Sequence, residues 1–69
     1  MHKTTFNALY RNGFAGQICT LWDGGEHDGK PGTIINLIQP RTVRIKLYDE
    51  TIVEADHRKV PLGDNSDYT

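Results

Sequence analysis

The sequence is poor in the features that usually hold small domains together. Its 69 residues contain one cysteine, Cys19, so a disulfide within one chain is excluded. His2, His27 and His57 are scattered and have no second ligand at C-x-x-C or H-x-x-x-H spacing, so we expect neither a metal nor any other cofactor. Stability must therefore come from a single hydrophobic core, which is marginal at this length.

Long apolar runs are also missing. No stretch approaches the ~20 apolar residues of a membrane span, and the N-terminus lacks the apolar region of a secretion signal. A lone cysteine between Ile18 and Thr20 is typical of a small buried hydrophobic residue and suits a reducing compartment. We therefore expect a complete one-domain product that is monomeric, cytoplasmic and without membrane contact.

The sequence has no large excess of either charge, but its charges are unevenly distributed. The formal net charge is −1. The segment 23–28 carries Asp23, Glu26 and Asp28 without a lysine or arginine, whereas the segment 30–62 is mildly basic. A net charge so close to zero argues against nucleic-acid binding over the whole surface.

Residues 24–32, GGEHDGKPG, match most of a phosphate-binding loop but lack its chemistry. Pro31 stands where Ser or Thr would hold Mg²⁺, and the apolar run GTIINLI that follows predicts a strand rather than the required helix. Glu26 and Asp28 would repel phosphate. The same stretch fails as a calcium loop because glycines occupy ligand positions. It predicts a flexible loop between strands.

Catalytic constellations are equally weak. Cys19 as nucleophile with His27 or His57 as base is a formal possibility, but no local group activates the thiol, and the Asp56-His57 pair is typical of a surface turn. The only serine, Ser66, lies in the tail. We expect no enzymatic activity.

The N-terminal segment 4–13 predicts a short helix. Phe6, Leu9 and Tyr10 follow the i, i+3, i+4 spacing, with a threonine at 4 or 5 as N-cap and Gly13 as left-handed C-cap. A hairpin that turns at Asn12-Gly13 is the alternative.

From residue 16 onward the sequence predicts strands. The four candidates are QICTLW (17–22), TIINLI (33–38), TVRIKLYD (42–49) and TIVEA (51–55). In the third, Val43, Ile45 and Leu47 alternate with polar residues and should point inward. In the fourth, Ile52 or Val53 should do so.

The last apolar residues should close the core. Val60 and Leu62 follow a predicted short helical turn at 56–59. Because an open meander would leave both long edges exposed, curling into a barrel is favoured. The sequence predicts a mainly β fold, a small five-stranded antiparallel barrel with a short N-terminal helix or turn.

The segments GQICTLWD, GKPGTIINLI, TVRIKLYDET and TIVEADHRKVPL together resemble an SH3-like barrel of the KOW or Tudor type, over residues 14–62. This resemblance divides the chain into an N-terminal segment 1–13, a barrel 14–62 and a disordered tail 63–69. It implies contact with RNA, DNA or RNA polymerase for KOW-type modules. For Tudor-type modules it implies a methyl-lysine cage, but Trp22 and Tyr48 alone give too few rings.

We expect a small non-catalytic regulator that docks on a larger machine, with transcription machinery and RNA polymerase first. A bacterial and a bacteriophage origin fit equally well. The expected partner-binding residues are Trp22, Glu26, Asp28, Arg44, Lys46 and Tyr48. The alternative is direct RNA or DNA binding through Arg41, Arg44, Lys46, Arg58 and Lys59. A simpler interpretation than either kind of binding is that Arg44 and Lys46 pair across strands with the nearby acids Glu54 or Asp56.

Overall fold

A computed structural model of the protein describes residues 1–62. In chain order the elements are α1 (Lys3–Asn12), β1 (Ile18–Thr20), β2 (Pro31–Ile38), β3 (Thr42–Leu47), β4 (Ile52–Asp56) and a 3-10 helix (His57–Lys59). The mainly β prediction is confirmed, and so is the short helical turn at 56–59. The predicted disordered tail 63–69 lies outside the described residues.

The four strands form one antiparallel sheet in the order β1-β2-β3-β4. Ile45 at the centre of β3 is paired with Ile34 on one side and Val53 on the other. A bulge at Ile35 shifts the register of β2, and beyond it Asn36 stands opposite Arg44. The tight connections at 39–41 and 48–51 match the predicted turns.

The predicted fifth strand and closed barrel are not found within residues 1–62, where the sheet has four strands and stays open. In place of the fifth strand, Leu62 forms a single bridge to Cys19, and the Pro61 carbonyl accepts a hydrogen bond of 3.0 Å from the Thr20 N–H. Pro61 has no N–H with which to extend this ladder. The prediction of five strands is therefore wrong for the described residues.

The first strand is shorter than predicted and the second begins earlier. β1 ends at Thr20 opposite Pro31, while Leu21 bonds to the loop instead, donating to the Lys30 carbonyl (3.0 Å) and accepting from the Gly29 N–H (2.6 Å). β2 starts at Pro31, two residues before the predicted start. These two bonds close the base of the loop between the strands.

Nine apolar side chains form the buried core: Phe6, Cys19, Leu21, Ile34, Leu37, Val43, Ile45, Leu47 and Val60. The predicted inward face of β3 is confirmed, since all three of its apolar residues are buried. In β4 the inward residue is Val53, which packs against the core, while Ile52 is 58% exposed. Leu62 is partly buried against the same core.

The N-terminal segment is a helix, so the hairpin alternative is wrong. The helix begins before the threonines that we expected as caps, and His2 at the cap position makes no side-chain cap bond. Gly13 has φ 109° and ψ 148°, outside the left-handed helical region that we predicted, although its N–H still donates to the Leu9 carbonyl at 2.8 Å.

The helix is tied to the 3-10 helix by its N-terminal end. The Met1 ammonium group donates to the carbonyls of His57 (2.7 Å) and Val60 (3.1 Å), and the His57 Nδ1 lies 2.8 Å from the Met1 carbonyl oxygen. The prediction that Asp56-His57 forms a surface turn is wrong for His57, whose side chain is buried between Met1 and Phe6.

Candidate functional site

The loop 22–30 is ordered by its own carboxylates. Asp23 Oδ1 accepts a hydrogen bond from the Gly25 N–H and Asp28 Oδ1 accepts one from the Gly24 N–H, each at 2.8 Å. Asp28, predicted as a partner-binding residue, is thus engaged in shaping the loop. Glu26 projects into solvent, and its Oε1 lies 3.5 Å from the His27 Nε2. A strand follows the loop, as the sequence predicted, so it lacks the helix of a phosphate-binding loop.

Trp22 stands at the start of this loop with 41% of its surface exposed. Its backbone N–H donates to the Lys59 carbonyl at 2.8 Å, which anchors the residue beside the 3-10 helix. Its indole ring covers Gly29: a Cβ at that glycine would lie 3.6 Å from the Trp22 Cζ3. The ring is therefore held on the protein while one part remains open to solvent.

Tyr48 follows β3 and is 64% exposed. It lines a mainly apolar depression of about 370 Å³ together with Lys30, Pro31, Leu47 and Asp49. The Lys30 Nζ lies 3.7 Å from the Asp49 Oδ2, which links the loop to the β3–β4 turn. Trp22 and Tyr48 thus flank the segment 29–31, and we call this surface, made by Trp22, Gly29, Lys30, Pro31 and Tyr48, the rim.

Asp49 fixes the turn that carries Tyr48. Its carboxylate accepts a hydrogen bond of 3.0 Å from the Thr51 N–H. Bonding to Thr51, and to a lesser degree the charge of Lys30, lowers the pKa of the Asp49 carboxyl group. The carboxylate therefore stays ionised near neutral pH and holds both ends of the turn.

The two basic residues predicted on the sheet face are neutralised there. Arg44 forms a two-point pair with Glu54, with distances of 2.6 and 2.8 Å to the Glu54 Oε2, which confirms the cross-strand pairing that the sequence suggested. Lys46 pairs at 2.7 Å with Glu50, a different acid from those predicted. Such exposed pairs contribute only a few tenths of a kcal/mol, but they leave little free positive charge on this face.

The remaining basic residues lie elsewhere. Arg58 contacts Asp56 at 3.1 Å, and the Asp56 carboxylate also accepts from the Arg58 N–H at 2.9 Å, which caps the 3-10 helix and lowers the pKa of Asp56. Arg41 and Arg58 line a depression of about 430 Å³ with Lys3, Pro40 and His57. Lys59 lies at the Trp22 side of the same helix. The five predicted nucleic-acid-binding residues therefore do not form one surface.

Sequence reasoning missed the contribution of Lys3. Its ammonium group donates to the Pro40 carbonyl and lies 5.2 Å from the centre of the Phe6 ring. The available signal was the absence of any Asp or Glu before Asp23, in a segment that carries both Lys3 and Arg11. This signal indicates that the N-terminal helix is basic. The basic residues predicted to bind nucleic acid all came from the strands and turns and therefore did not include those of the helix.

Cys19 is chemically quiet. Its side chain is fully buried, its Sγ lies 3.7 Å from the Gly32 carbonyl oxygen, and burial raises the pKa of the thiol to about 11. A thiol with so high a pKa is a poor nucleophile at neutral pH. The expected role as a small buried hydrophobic residue is confirmed.

Within residues 1–62, no three His, Cys, Asp or Glu side chains are grouped so as to hold a metal ion. In the same part of the chain, α1 is too short and too polar to cross a membrane, and it is the only α-helix. Comparisons with protein-family models, curated proteins and solved structures find no match.

Proposed function

We propose that this chain is a non-catalytic docking module that binds a larger protein assembly through the rim. The observation that carries the proposal is the pair of exposed aromatic rings, Trp22 and Tyr48, on either side of the segment 29–31. Beside Tyr48 the rim offers an apolar depression, large enough for one side chain of a partner.

Aromatic anchors of this kind suit a small interface. Trp and Tyr bury much apolar area and lose few rotatable bonds, which is why they are enriched among the residues that dominate binding energy. Trp22 is already restrained by Gly29 and by its bond to Lys59, so binding costs it little further entropy.

The charge beside the rim favours a basic partner surface. Asp23, Glu26 and Asp28 form an acidic loop next to Trp22. Since Asp28 is bonded within the loop, Glu26 is the residue best placed to steer approach. Long-range attraction of this type raises the association rate more than it slows dissociation.

The fold part of the proposal is an SH3-like barrel that the segment 59–62 closes by isolated contacts, without forming a fifth strand. Three contacts support it: the bridge from Leu62 to Cys19 and the hydrogen bond from Thr20 to Pro61 involve β1, and the hydrogen bond from Trp22 to Lys59 lies just beyond that strand. In this arrangement the 3-10 helix connects β4 to the closing segment, which is the order of elements in such barrels.

RNA polymerase is the first target to test, because the chain resembles KOW-type modules over residues 14–62. The purified bacterial enzyme is immobilised and the association of the wild-type chain is compared with Trp22→Ala and Tyr48→Ala by interferometry. We expect each substitution to speed dissociation by about tenfold. Glu26→Lys should mainly slow association, and Tyr10→Ala, which removes an exposed aromatic ring from α1, should leave both rates unchanged.

The possible outcomes distinguish an error in the target from an error in the binding surface. Absence of wild-type binding to the polymerase rejects this target and leaves the rim to be tested on proteins captured from lysate. Normal binding by both rim variants, together with loss of binding in Tyr10→Ala, rejects the rim. Circular dichroism of each variant verifies that the sheet remains folded.

A further inference from the structure

The outward face of α1 carries polar and basic residues in a line. Lys3, Asn7, Tyr10 and Arg11 follow the i, i+4, i+7, i+8 spacing that places side chains on one helix face. Phe6, at the border of this face, is buried in the core, and the helix contains no acidic residue. The helix thus presents two cations, an amide and an exposed ring, Tyr10 being 48% exposed.

The β2–β3 turn lies alongside this face and extends it. Lys3 donates to the Pro40 carbonyl, and Gln39 lines a depression of about 320 Å³ with Asn7, Tyr10 and Arg11. The neighbouring depression of about 430 Å³ adds Arg41 and Arg58. We call the surface that these two depressions line the helix-side strip, made by Lys3, Tyr10, Arg11, Gln39, Arg41 and Arg58.

The strip is strongly basic for a chain with net charge −1. It contains four cations, and the carboxylate paired with one of them is Asp56, on Arg58. The guanidinium groups of Arg11 and Arg41 make no hydrogen bond or ion pair with any other described residue. Among residues 1–62, these two charges therefore have no ion-pair partner, in contrast to Arg44 and Lys46 on the sheet.

The acidic loop lies at the other end of β2 from Arg41. It precedes Pro31 at the start of β2, whereas the turn with Gln39 and Arg41 follows Ile38 at its end. Seven steps of about 3.3 Å give the strand a length of up to roughly 23 Å, about twice the screening length of about 10 Å at an ionic strength near 0.1 M. The Arg58 end of the strip is nearer to the loop, because the adjacent Lys59 carbonyl accepts a hydrogen bond from the Trp22 N–H. The net charge of the chain therefore hides a surface with a local positive potential.

We infer that the helix-side strip binds single-stranded nucleic acid, with phosphates on Arg11, Arg41, Arg58 and Lys3 and a base stacked on Tyr10. Charged grooves with exposed aromatic rings are how proteins hold single strands, because every base offers a stacking face. The strip is open and shallow, and Arg guanidinium groups match phosphate oxygens by two-point bonding. The site is distinct from the rim and requires nothing of it.

The test uses the full chain and a labelled single strand of about 12 nucleotides, as RNA and as DNA, with fluorescence anisotropy between about 50 and about 200 mM KCl. We expect saturable binding that weakens as salt rises. Arg11→Ala and Arg41→Ala should each reduce the slope of log K against log salt by about 0.7. Tyr10→Ala should weaken binding by about fivefold or more, while Tyr10→Phe retains it.

Arg44→Ala is the matched control, since it removes an arginine that is paired with Glu54 on the sheet; it should bind as the wild type does. Trp22→Ala should also bind normally, so failure of the rim proposal and failure of this one are told apart. Tighter binding of RNA than of DNA would indicate contacts to the 2′-hydroxyl; equal binding would indicate phosphates and bases alone. Both results support the inference.

Three results overturn it. The first is no saturable binding at the lowest salt. The second is equal loss in Arg44→Ala and Arg41→Ala, which would show that only overall charge matters. The third is a poly-glutamate peptide that competes as well as the oligonucleotide while Tyr10→Ala has no effect, because the strip would then be a docking surface for an acidic protein.

Discussion

Phe6 of α1 and His57 of the 3-10 helix lie with their ring centroids 5.7 Å apart and their planes inclined at 45°. Both side chains are buried, and they come from near the two ends of the described chain. This contact and the bonds of Met1 to His57 and Val60 attach the N-terminal helix to the sheet. The helix is consequently a part of the core and not an appendage.

Phe6→Ala should therefore destabilise the whole domain. Removing a fully buried phenylalanine costs about 3–5 kcal/mol, a large share of the stability of a small domain. Urea unfolding followed by circular dichroism measures the change. Tyr10→Ala, in the same helix but exposed, should shift the free energy of unfolding by less than about 0.5 kcal/mol; equal effects of the two substitutions would show that the helix is not packed on the sheet.

Two isoleucines on adjacent strands provide a matched comparison of the sheet faces. Ile45 is completely buried on β3, whereas Ile52 on β4 is 58% exposed. Ile45→Ala should lower the free energy of unfolding by about 2–4 kcal/mol, and Ile52→Ala by much less than half of that. The opposite ranking in denaturant titrations would mean that the faces of the sheet are reversed.

Gly32 is required by close approach between strands. A Cβ at this position would lie 2.7 Å from the Ile45 Cγ2 and 2.8 Å from the Lys46 carbonyl oxygen, and the second of these is backbone. Gly32→Ala should cost about 1–3 kcal/mol because β2 and β3 must move apart. Gly25→Ala is the control, since its nearest neighbour is the flexible Asp23 carboxylate at 3.3 Å. Thermal unfolding of both variants should show a large loss only for the first.

Because the Cys19 thiol is buried, the free energy of unfolding should depend on pH in the alkaline range. Folding raises the pKa of Cys19 from 9.0 to about 11, so the unfolded chain loses this proton first. The free energy of unfolding should therefore fall as pH rises from about 9 toward 11, and Cys19→Ala should lack this slope, although its cavity lowers stability at every pH.

In native protein at about pH 8 the thiol should resist alkylation, and it should react fully in denaturant. Rapid native labelling would show that the site is open.

The sequence predicts the centre of this fold better than its margins. The alternation of Val43, Ile45 and Leu47 identifies the buried face of β3 because burial there repeats every second residue. The burial of His57 was not predictable in the same way. Its partners, Met1 and Phe6, are about fifty residues away in the chain, and no local pattern reports contacts at that separation.

Charge was harder to interpret than hydrophobicity. The sequence places Arg44 and Lys46 on one outward face, but their effect depends on Glu54 and Glu50, which fold against them and remove most of the free charge. Arg41 joins Lys3 only because α1 lies along the β2–β3 turn. Both outcomes follow from tertiary contacts between elements distant in sequence.

The two hydrogen bonds that close the base of the loop have a consequence for how this protein can change. Because Leu21 is hydrogen-bonded to Gly29 and Lys30, the two ends of the loop 23–28 are held together. The sheet therefore does not set the length of this loop. Doubling the length of such a loop costs only about 0.6 kcal/mol in closure entropy. One loop sequence can therefore be exchanged for another between these fixed ends. Related chains could acquire new binding preferences in this way while their cores stay the same.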